Sequence, residues 1–269
     1  ASLCRYAHKF AVKVYVTVNT ILYDEELDAT EKLVWQLYEA GVDALIVQDL
    51  ALLQMNLPPI PLHASTQMDN RTPEQVQWLA DMGYSQVVLA RECSLDQIRL
   101  IHETVPQIPL EAFVHGALCV SYSGRCQASQ FCFSRSANRG QCAQFCRLPF
   151  SLVDAEGKVL AKEKYLLSLR DMNRTASLEK MMDAGIRSFK IEGRLKDVSY
   201  VKNVTAWYRR RIDEILRRRP EYGRASLGTV ELNFQPNPQR SFSRGFTEYF
   251  LHERTKMASF HTPKSMGQD

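Results

Sequence analysis

The sequence predicts an α/β fold: an incomplete (β/α) TIM-barrel-like domain with a cysteine-rich insert and a small irregular C-terminal region. Three observations support this fold class. Short apolar, β-branched runs recur through residues 1–220, and stretches with the 3.6-residue period of a helix follow most of them. Polar residues stand where nearly every predicted strand ends, as in (β/α) barrels. The chain of 269 residues, 45% of them hydrophobic, can build one large domain.

The strands and helices follow in order along the chain. The predicted strands are 12–18, 44–47, 61–64, 86–89, 110–114, 165–169 and 188–191. The predicted helices are 31–40 before Gly41, one opening at Thr72-Pro73, one capped by Ser94, and a long one over 196–219 that ends at Pro220. About seven such units favour an eight-stranded barrel without its first strands. A doubly wound open sheet is the alternative.

The periodicity disappears over residues 116–162, which we interpret as an insert. Residues 150–161 in its second part predict a hairpin that turns near Glu156-Gly157. Residues 221–269 are interpreted as a linker and the start of a truncated C-terminal region. The chain opens without Met or a signal-peptide pattern, so we expect its natural start to lie upstream.

Composition and charge exclude several classes of protein. The net charge of +4 is too small to indicate a polyanion partner unless the positive charge is concentrated locally. No apolar stretch approaches the roughly 20 residues of a membrane helix. Seven cysteines, an odd number without a signal peptide, favour a reducing compartment and metal or catalytic use. We therefore expect a cytoplasmic protein.

The polar residues at strand ends are the first candidates for a site. For each of them, a helix cap or a rim ion pair is the alternative; Asp49, for example, can cap the segment from Leu50. His115 and Glu192 are the candidates for proton transfer, because each lies at a predicted strand end. The candidate substrate contacts are His63, Gln67, Lys190 and Arg194.

Four cysteines of the insert indicate a metal centre. Cys119, Cys126, Cys142 and Cys146 lie in a polar, glycine-containing stretch, and thiolate donors select zinc or an iron–sulfur cluster. Their spacing matches neither paired C-x-x-C ribbons nor the compact ferredoxin run, so the metal stays open. Four buried, reduced cysteines, or a nucleophilic cysteine paired with His115, are the alternatives. Cys132, between two phenylalanines, is expected to pack.

Arginines concentrate in the insert and on the long helix. Clustered arginines can bind the phosphates of RNA, although a solvated basic helix face is the usual meaning of such a run. The candidates for RNA binding are Arg125, Arg139, Arg209, Arg210, Arg217 and Arg218. No G-x-G-x-x-G or P-loop motif is present, so a nucleotide cofactor is not indicated.

One segment resembles the signature of the peptidase U32 family. It runs as Glu111-Ala-Phe-Val-His-Gly-Ala-Leu-Cys119 and continues with Gly124-Arg125-Cys126; Ala128 departs from the larger aliphatic residue usual there. Other blocks look like family segments: 15–19, 43–49, 63–67 and 190–194. The ending, 244–250 followed by Pro263-Lys264-Ser265, resembles longer members that continue into a C-terminal domain, and two strands precede the first block in full-length relatives.

The resemblance implies a barrel-like α/β fold and a [4Fe–4S] cluster held by the cysteines that match by position, Cys119, Cys126, Cys142 and Cys146. Some members are described as collagenase-like peptidases, whereas others hydroxylate pyrimidine bases in RNA, with prephenate as the implied hydroxyl source. The sequence offers no Ser–His–Asp set or H-E-x-x-H zinc site, which favours the hydroxylase. The longer-member resemblance favours a cytidine of 23S ribosomal RNA over transfer RNA. A U32-type peptidase and a non-catalytic cluster-bearing scaffold are the alternatives.

Overall fold

The computed structural model describes residues 1–252, which form a mixed α/β fold around a largely parallel sheet. The strands are β1 (Tyr15–Val18), β2 (Ala44–Val47), β3 (Leu62–Ala64), β4 (Gln86–Val88), β5 (Leu110–Gly116), β6 (Phe150–Val153), β7 (Val159–Lys164), β8 (Asp171–Asn173), β9 (Ile186–Ile191) and β10 (Phe246–Thr247). The helices are α1 (Ser2–His8), α2 (Leu27–Glu39), α3 (Pro73–Asp81), α4 (Leu95–Thr104), α5 (Ala128–Phe133), α6 (Leu178–Asp183) and α7 (Val198–Arg218).

The main sheet has β1, β2, β3, β4 and β5 side by side and parallel, with β9 parallel to the far side of β5. Strand β8 runs antiparallel to the carboxyl end of β5, where Asn173 lies opposite His115, and β10 pairs with β8. Within residues 1–252, β1 and β9 do not pair with each other, so this part of the sheet is open. The predicted α/β class with a parallel sheet is confirmed; closure into a barrel stays a prediction.

Helices α2, α3, α4, α6 and α7 contribute residues to one apolar core with the sheet. Val34, Leu79, Ile98, Met181 and Val204 are fully buried there, one from each helix. The caps that the sequence predicts are present: Thr72 accepts from the backbone of Gln75, and Ser94 from that of Gln97. Local hydrogen bonding therefore fixes where α3 and α4 begin.

Two elements differ from the sequence-based prediction. The expected strand 165–169 is wrong: this segment is turn-like with Tyr165 and Leu167 exposed, and the strand comes at 171–173. The position of the strand at 171–173 depends on its pairing with β5 and β10, and such pairing cannot be predicted from a local apolar run. Helix α1 was not predicted; it buries Cys4 against the core. The hairpin expected over 150–161 is confirmed as β6 and β7, which form a sheet of their own.

The chain after α7 returns to the main sheet. Strand β10 extends the sheet beyond β8, Leu251 is fully buried, and its carbonyl accepts from the Leu95 backbone at 2.8 Å. The stretch from β10 to Leu251, part of the range 221–269 that was interpreted above as a linker and the start of another region, thus packs on this domain. The rest of that range, 253–269, lies outside the described residues. None of the helices within residues 1–252 is long and apolar enough to cross a membrane.

Candidate functional site

Glu111 is the central charged group among the strands. This buried carboxylate on β5 accepts from Gln86 Nε2 at 2.9 Å, from Ser188 Oγ at 2.6 Å and from Lys190 Nζ at 3.0 Å. The donors come from the two strands that flank β5, since all three strands place these side chains on one face. The predicted substrate contact Lys190 is therefore already paired with a carboxylate that the sequence-based candidates did not include.

His63 lies in the same region, on β3. Its ring packs edge-on against Tyr15 at 4.7 Å, and its Nδ1 is buried without a hydrogen-bond partner among the described residues. Burial lowers the pKa of His63, although the charge of Glu111 acts in the opposite direction. His63 is thus a neutral imidazole at pH 7 with one nitrogen free to accept or donate.

Glu192 follows β9 and pairs with Arg91, which follows β4. Their side chains approach to 3.2 Å, and the Arg91 guanidinium lies 3.7 Å from the centre of the Phe113 ring. The Glu192 carboxylate also accepts from the Arg194 backbone at 3.0 Å. Gly116 is the last residue of β5, and a Cβ there would lie 2.7 Å from Glu192. Only glycine therefore lets the ends of β5 and β9 approach so closely.

His115 is buried beneath α7. Its ring contacts Tyr200, Tyr208 and Phe246, and its Nδ1 lies 3.2 Å from the hydroxyl of Tyr208. Burial lowers the pKa of His115 to about 4, so the imidazole is neutral at pH 7. The backbone of Glu192 donates to the His115 carbonyl at 2.9 Å, but the two side chains have different partners. The two proton-transfer candidates are neighbours with separate surroundings.

Gln67 connects the strand ends to the cysteine-rich insert. Asn19 donates a hydrogen bond to its side chain, so the ends of β1 and β3 meet there. A Cβ at Gly124 would lie only 1.7 Å from the Gln67 carbonyl oxygen. The insert therefore packs backbone to backbone on this rim.

Two buried carboxylates hold the first part of the insert. Glu92 accepts from the Ser123 backbone at 3.0 Å and from its hydroxyl at 3.1 Å. Asp69 pairs with Arg125 at 3.1 Å. Since Ser123 and Arg125 lie between Cys119 and Cys126, these contacts fix that segment at the carboxyl ends of β3 and β4.

The four predicted metal-ligating cysteines are free thiols of the insert. Burial raises the pKa of the Cys119 thiol, and the charges of Cys126 and Cys146 raise it further. Burial likewise raises the pKa of Cys146, with Cys142 and Cys126 adding to the effect. Each of the four thiols thus lies within electrostatic range of at least one other.

Four thiols are the donor type that both a tetrahedral zinc ion and an iron–sulfur cluster take. A tetrahedral zinc ion at 2.3 Å from sulfur would draw its ligands to within about 4 Å of one another. Within residues 1–252, no three His, Cys, Asp or Glu side chains are arranged to hold one ion. An iron–sulfur core is larger and accepts thiolates that are further apart, and all four donors are of the type it requires.

The other cysteines have different surroundings. Cys4 and Cys93 are buried, and burial raises the pKa of the Cys93 thiol to about 12, as expected for structural residues. Cys132 is exposed, as is the neighbouring Phe131 at 92% exposure, so the expectation that Cys132 packs is wrong. Phe131 and Cys132 therefore lie on the exposed face of the short helix α5.

The predicted RNA-binding arginines all have partners. Arg139 forms a bidentate ion pair with Glu26 at 2.6 and 2.8 Å and stacks on Tyr23, so it joins the insert to the segment before α2. On α7, Arg209 lies 2.7 Å from Asp213 and Arg218 lies 3.1 Å from Glu179. Arg125 pairs with Asp69, Arg210 donates to Gln235, and Arg217 donates to the Asp213 carbonyl. The basic charge of α7 is partly neutralised on its own surface.

A cleft of about 650 Å³ lies beside α7, in a place where no sequence pattern indicated a site. Its lining includes Asn173, Thr175, Arg211, Glu214 and Phe246. Hydrogen bonds link Thr175 and Asn173, which line the cleft, to Tyr208, whose hydroxyl lies 3.2 Å from His115 Nδ1. The buried imidazole is therefore coupled to the surface by side-chain hydrogen bonds.

Comparison with known proteins identifies the family. The family model described as Peptidase family U32 matches residues 1–260. The chain belongs to peptidase family U32. The resemblance seen in its cysteine motif is thus confirmed.

Several U32 relatives are similar over most of this chain. The 23S rRNA 5-hydroxycytidine C2501 synthase of Escherichia coli is 51% identical over 99% of this chain and 41% of its own length. The collagenase of Porphyromonas gingivalis is 33% identical over 94% of this chain and 62% of its own length. The tRNA hydroxylation protein P1 of Bacillus subtilis is 37% identical over 77% of this chain and 51% of its own. This chain therefore spans about two to three fifths of these relatives.

A solved U32 peptidase structure, that of Mk0906, superposes on 73% of this chain and 76% of its own with a TM-score of 0.44 and 13% identity.

Proposed function

We propose that this U32 chain is part of an RNA-modifying enzyme, and that the enzyme hydroxylates a cytidine of 23S ribosomal RNA. The observation that carries the proposal is the 51% identity, across 99% of the chain, with an enzyme named for that reaction. Free thiols and ribosomal RNA as substrate both agree with a cytoplasmic protein.

In the proposed enzyme, Cys119, Cys126, Cys142 and Cys146 hold a [4Fe–4S] cluster, which supplies electron transfer when bound. The cysteine-rich insert packs at the carboxyl ends of β3 and β4, where Glu92 and Gln67 contact it. Active sites of α/β barrels lie at that edge of the sheet. The cluster would therefore adjoin the polar groups at the strand ends.

The residues at the strand ends have separate proposed roles. Arg194 supplies positive charge for an anionic co-substrate such as prephenate. Lys190, whose ammonium is paired with Glu111, supplies a hydrogen-bond donor, and the neutral His63 and Gln67 supply further hydrogen bonds. Glu192 is the better candidate for moving a proton, because its side chain is partly exposed. His115 is buried and neutral at pH 7, so we assign it to holding the strand end and Tyr208 in place.

RNA would contact basic side chains of the insert and of α7. The candidates stay those of the sequence: Arg125, Arg139, Arg209, Arg210, Arg217 and Arg218. Arg125 and Arg218 are the more suitable, since their side chains are 69% and 63% exposed even within their ion pairs. Arg139 is less suitable, because its guanidinium is committed to Glu26 and the Ile21 carbonyl.

A peptidase is the second candidate function, favoured by the similarity to the Porphyromonas collagenase. The geometry does not support it: the buried rings of His63 and His115 contact Tyr15 and Tyr208, and neither makes a hydrogen bond to a cysteine or serine within residues 1–252. A nucleophile activated by a neighbouring base requires such a contact.

The test is complementation in Escherichia coli cells that lack their own 23S rRNA 5-hydroxycytidine synthase. The full-length protein is expressed as wild type, as Cys142→Ser and as Cys132→Ser, and 23S rRNA fragments are analysed by mass spectrometry. We expect hydroxycytidine with the wild type and with Cys132→Ser, and none with Cys142→Ser. Stable expression without hydroxycytidine, together with cleavage of collagen peptides by the purified protein, would favour the peptidase instead.

A further inference from the structure

Arg147 joins two parts of the cysteine-rich insert that are far apart in sequence. One guanidinium nitrogen donates to the carbonyl of Leu118, and the other donates to Ser168 Oγ at 3.0 Å and to the Leu169 carbonyl at 2.9 Å. A planar guanidinium with donors on two sides can bind all three acceptors at once, which a lysine ammonium cannot do in the same geometry.

The bonded positions adjoin the first and last candidate ligands. Leu118 directly precedes Cys119, and Arg147 directly follows Cys146. Leu118 is itself buried, and Leu169 packs against the same small apolar group as Leu118. The side chain of Arg147 therefore fixes the spacing between Cys119 and Cys146 and ties both to the domain interior.

Within residues 1–252 the guanidinium of Arg147 forms no ion pair. All three of its hydrogen-bond acceptors are uncharged, whereas Arg125 and Arg139 of the same insert each pair with a carboxylate. Burial lowers the pKa of Arg147 and the charge of Arg244 adds to this, while Cys146, the Asp171 carboxylate and Cys119 act in the opposite direction. An arginine nevertheless stays protonated in proteins. Arg147 therefore keeps its positive charge beside the segment that carries Cys119, where the Leu118 carbonyl accepts from it.

We propose that Arg147 is a positioning residue for the iron–sulfur cluster: its hydrogen bonds set the separation of Cys119 and Cys146, and its charge stabilises the reduced cluster. The inference rests on the proposed cluster and deepens it. A cluster becomes more negative when it is reduced, so a nearby unpaired positive charge raises its reduction potential.

The experiment uses the anaerobically purified full-length protein in four forms: wild type, Arg147→Gln, Arg147→Lys and Arg135→Gln. Arg135 is an exposed arginine of the same insert and serves as the matched control. Iron per chain is measured after gel filtration, and the midpoint potential is measured by titration followed by electron paramagnetic resonance.

For Arg147→Gln we expect at least a twofold loss of iron and a more negative potential in the cluster that remains. Arg147→Lys keeps the charge but not the three hydrogen bonds, so it should lose iron while its potential stays near that of the wild type. Arg135→Gln should match the wild type in both measurements.

Two outcomes would overturn the inference while leaving the proposed cluster in place. One is wild-type iron content and potential in Arg147→Gln; the other is an equal potential shift in Arg135→Gln. Wild-type protein without iron would overturn the cluster proposal itself and this inference with it. None of these readouts depends on hydroxylation of RNA, so failure of the substrate assignment is separate.

Discussion

The contact between Gly124 and the Gln67 carbonyl gives the sharpest structural prediction. An alanine Cβ at position 124 would lie 1.7 Å from that oxygen, and such contacts are essentially never below 3.0 Å, so the two backbones must separate by at least about 1.3 Å. The residue also has φ of +72°, which costs an L side chain roughly 1–2 kcal/mol. Forcing packed segments apart adds roughly 1–3 kcal/mol. We therefore expect Gly124→Ala to destabilise the protein by about 2–5 kcal/mol.

Gly157 provides the matched control, because it isolates the backbone cost from the steric clash. It lies in the same insert with φ of +85°, and a Cβ there meets nothing within 4 Å. Gly157→Ala should thus cost only roughly 1–2 kcal/mol. Thermal unfolding and iron content of the full-length protein are measured for both variants. Equal effects of the two substitutions would refute the inference that the insert packs directly on Gln67.

Three further predictions follow from the charged and buried groups. Glu111→Gln should destabilise the protein by about 3 kcal/mol in urea unfolding, because Lys190 loses its carboxylate partner; an unchanged midpoint would contradict the pairing. Since the pKa of His115 falls from 6.5 to about 4 on folding, the unfolded state binds its proton first. Stability should therefore be complete above about pH 6.5 and fall by up to about 3 kcal/mol towards pH 4, and His115→Phe should flatten that slope in urea unfolding at several pH values. If α7 binds RNA, the double variant Arg217→Gln, Arg218→Gln should weaken binding and reduce the slope of log affinity against log salt by about 2, whereas an unchanged slope would exclude phosphate contacts there.

The local signals of the sequence predicted most of the parallel strands and the start of the helices. Thr72 and Ser94 form the expected caps because capping depends only on residues three positions apart. The strand at 171–173 was missed because its neighbours are β5 and β10, the latter more than seventy residues away along the chain. Burial of Leu251 was missed for the same reason.

The candidate site shows the same division between local and long-range information. The cysteines and the polar residues at strand ends could be predicted, because their residue types and their positions along the chain identify them. The partners of the insert could not be predicted: Glu92 accepts hydrogen bonds from Ser123, and Arg139 pairs with Glu26 instead of remaining free for phosphate. These contacts join segments 31 and 113 residues apart, so only the folded chain reveals them.

The most direct test of the proposed chemistry is iron and sulfide analysis of the anaerobically purified full-length protein. The wild type and Cys132→Ser should each contain about four iron and four sulfide per chain, and Cys142→Ser should lose most of both. Stoichiometric zinc, or no metal in the wild type, would contradict the account and return the peptidase and the non-catalytic scaffold to first consideration.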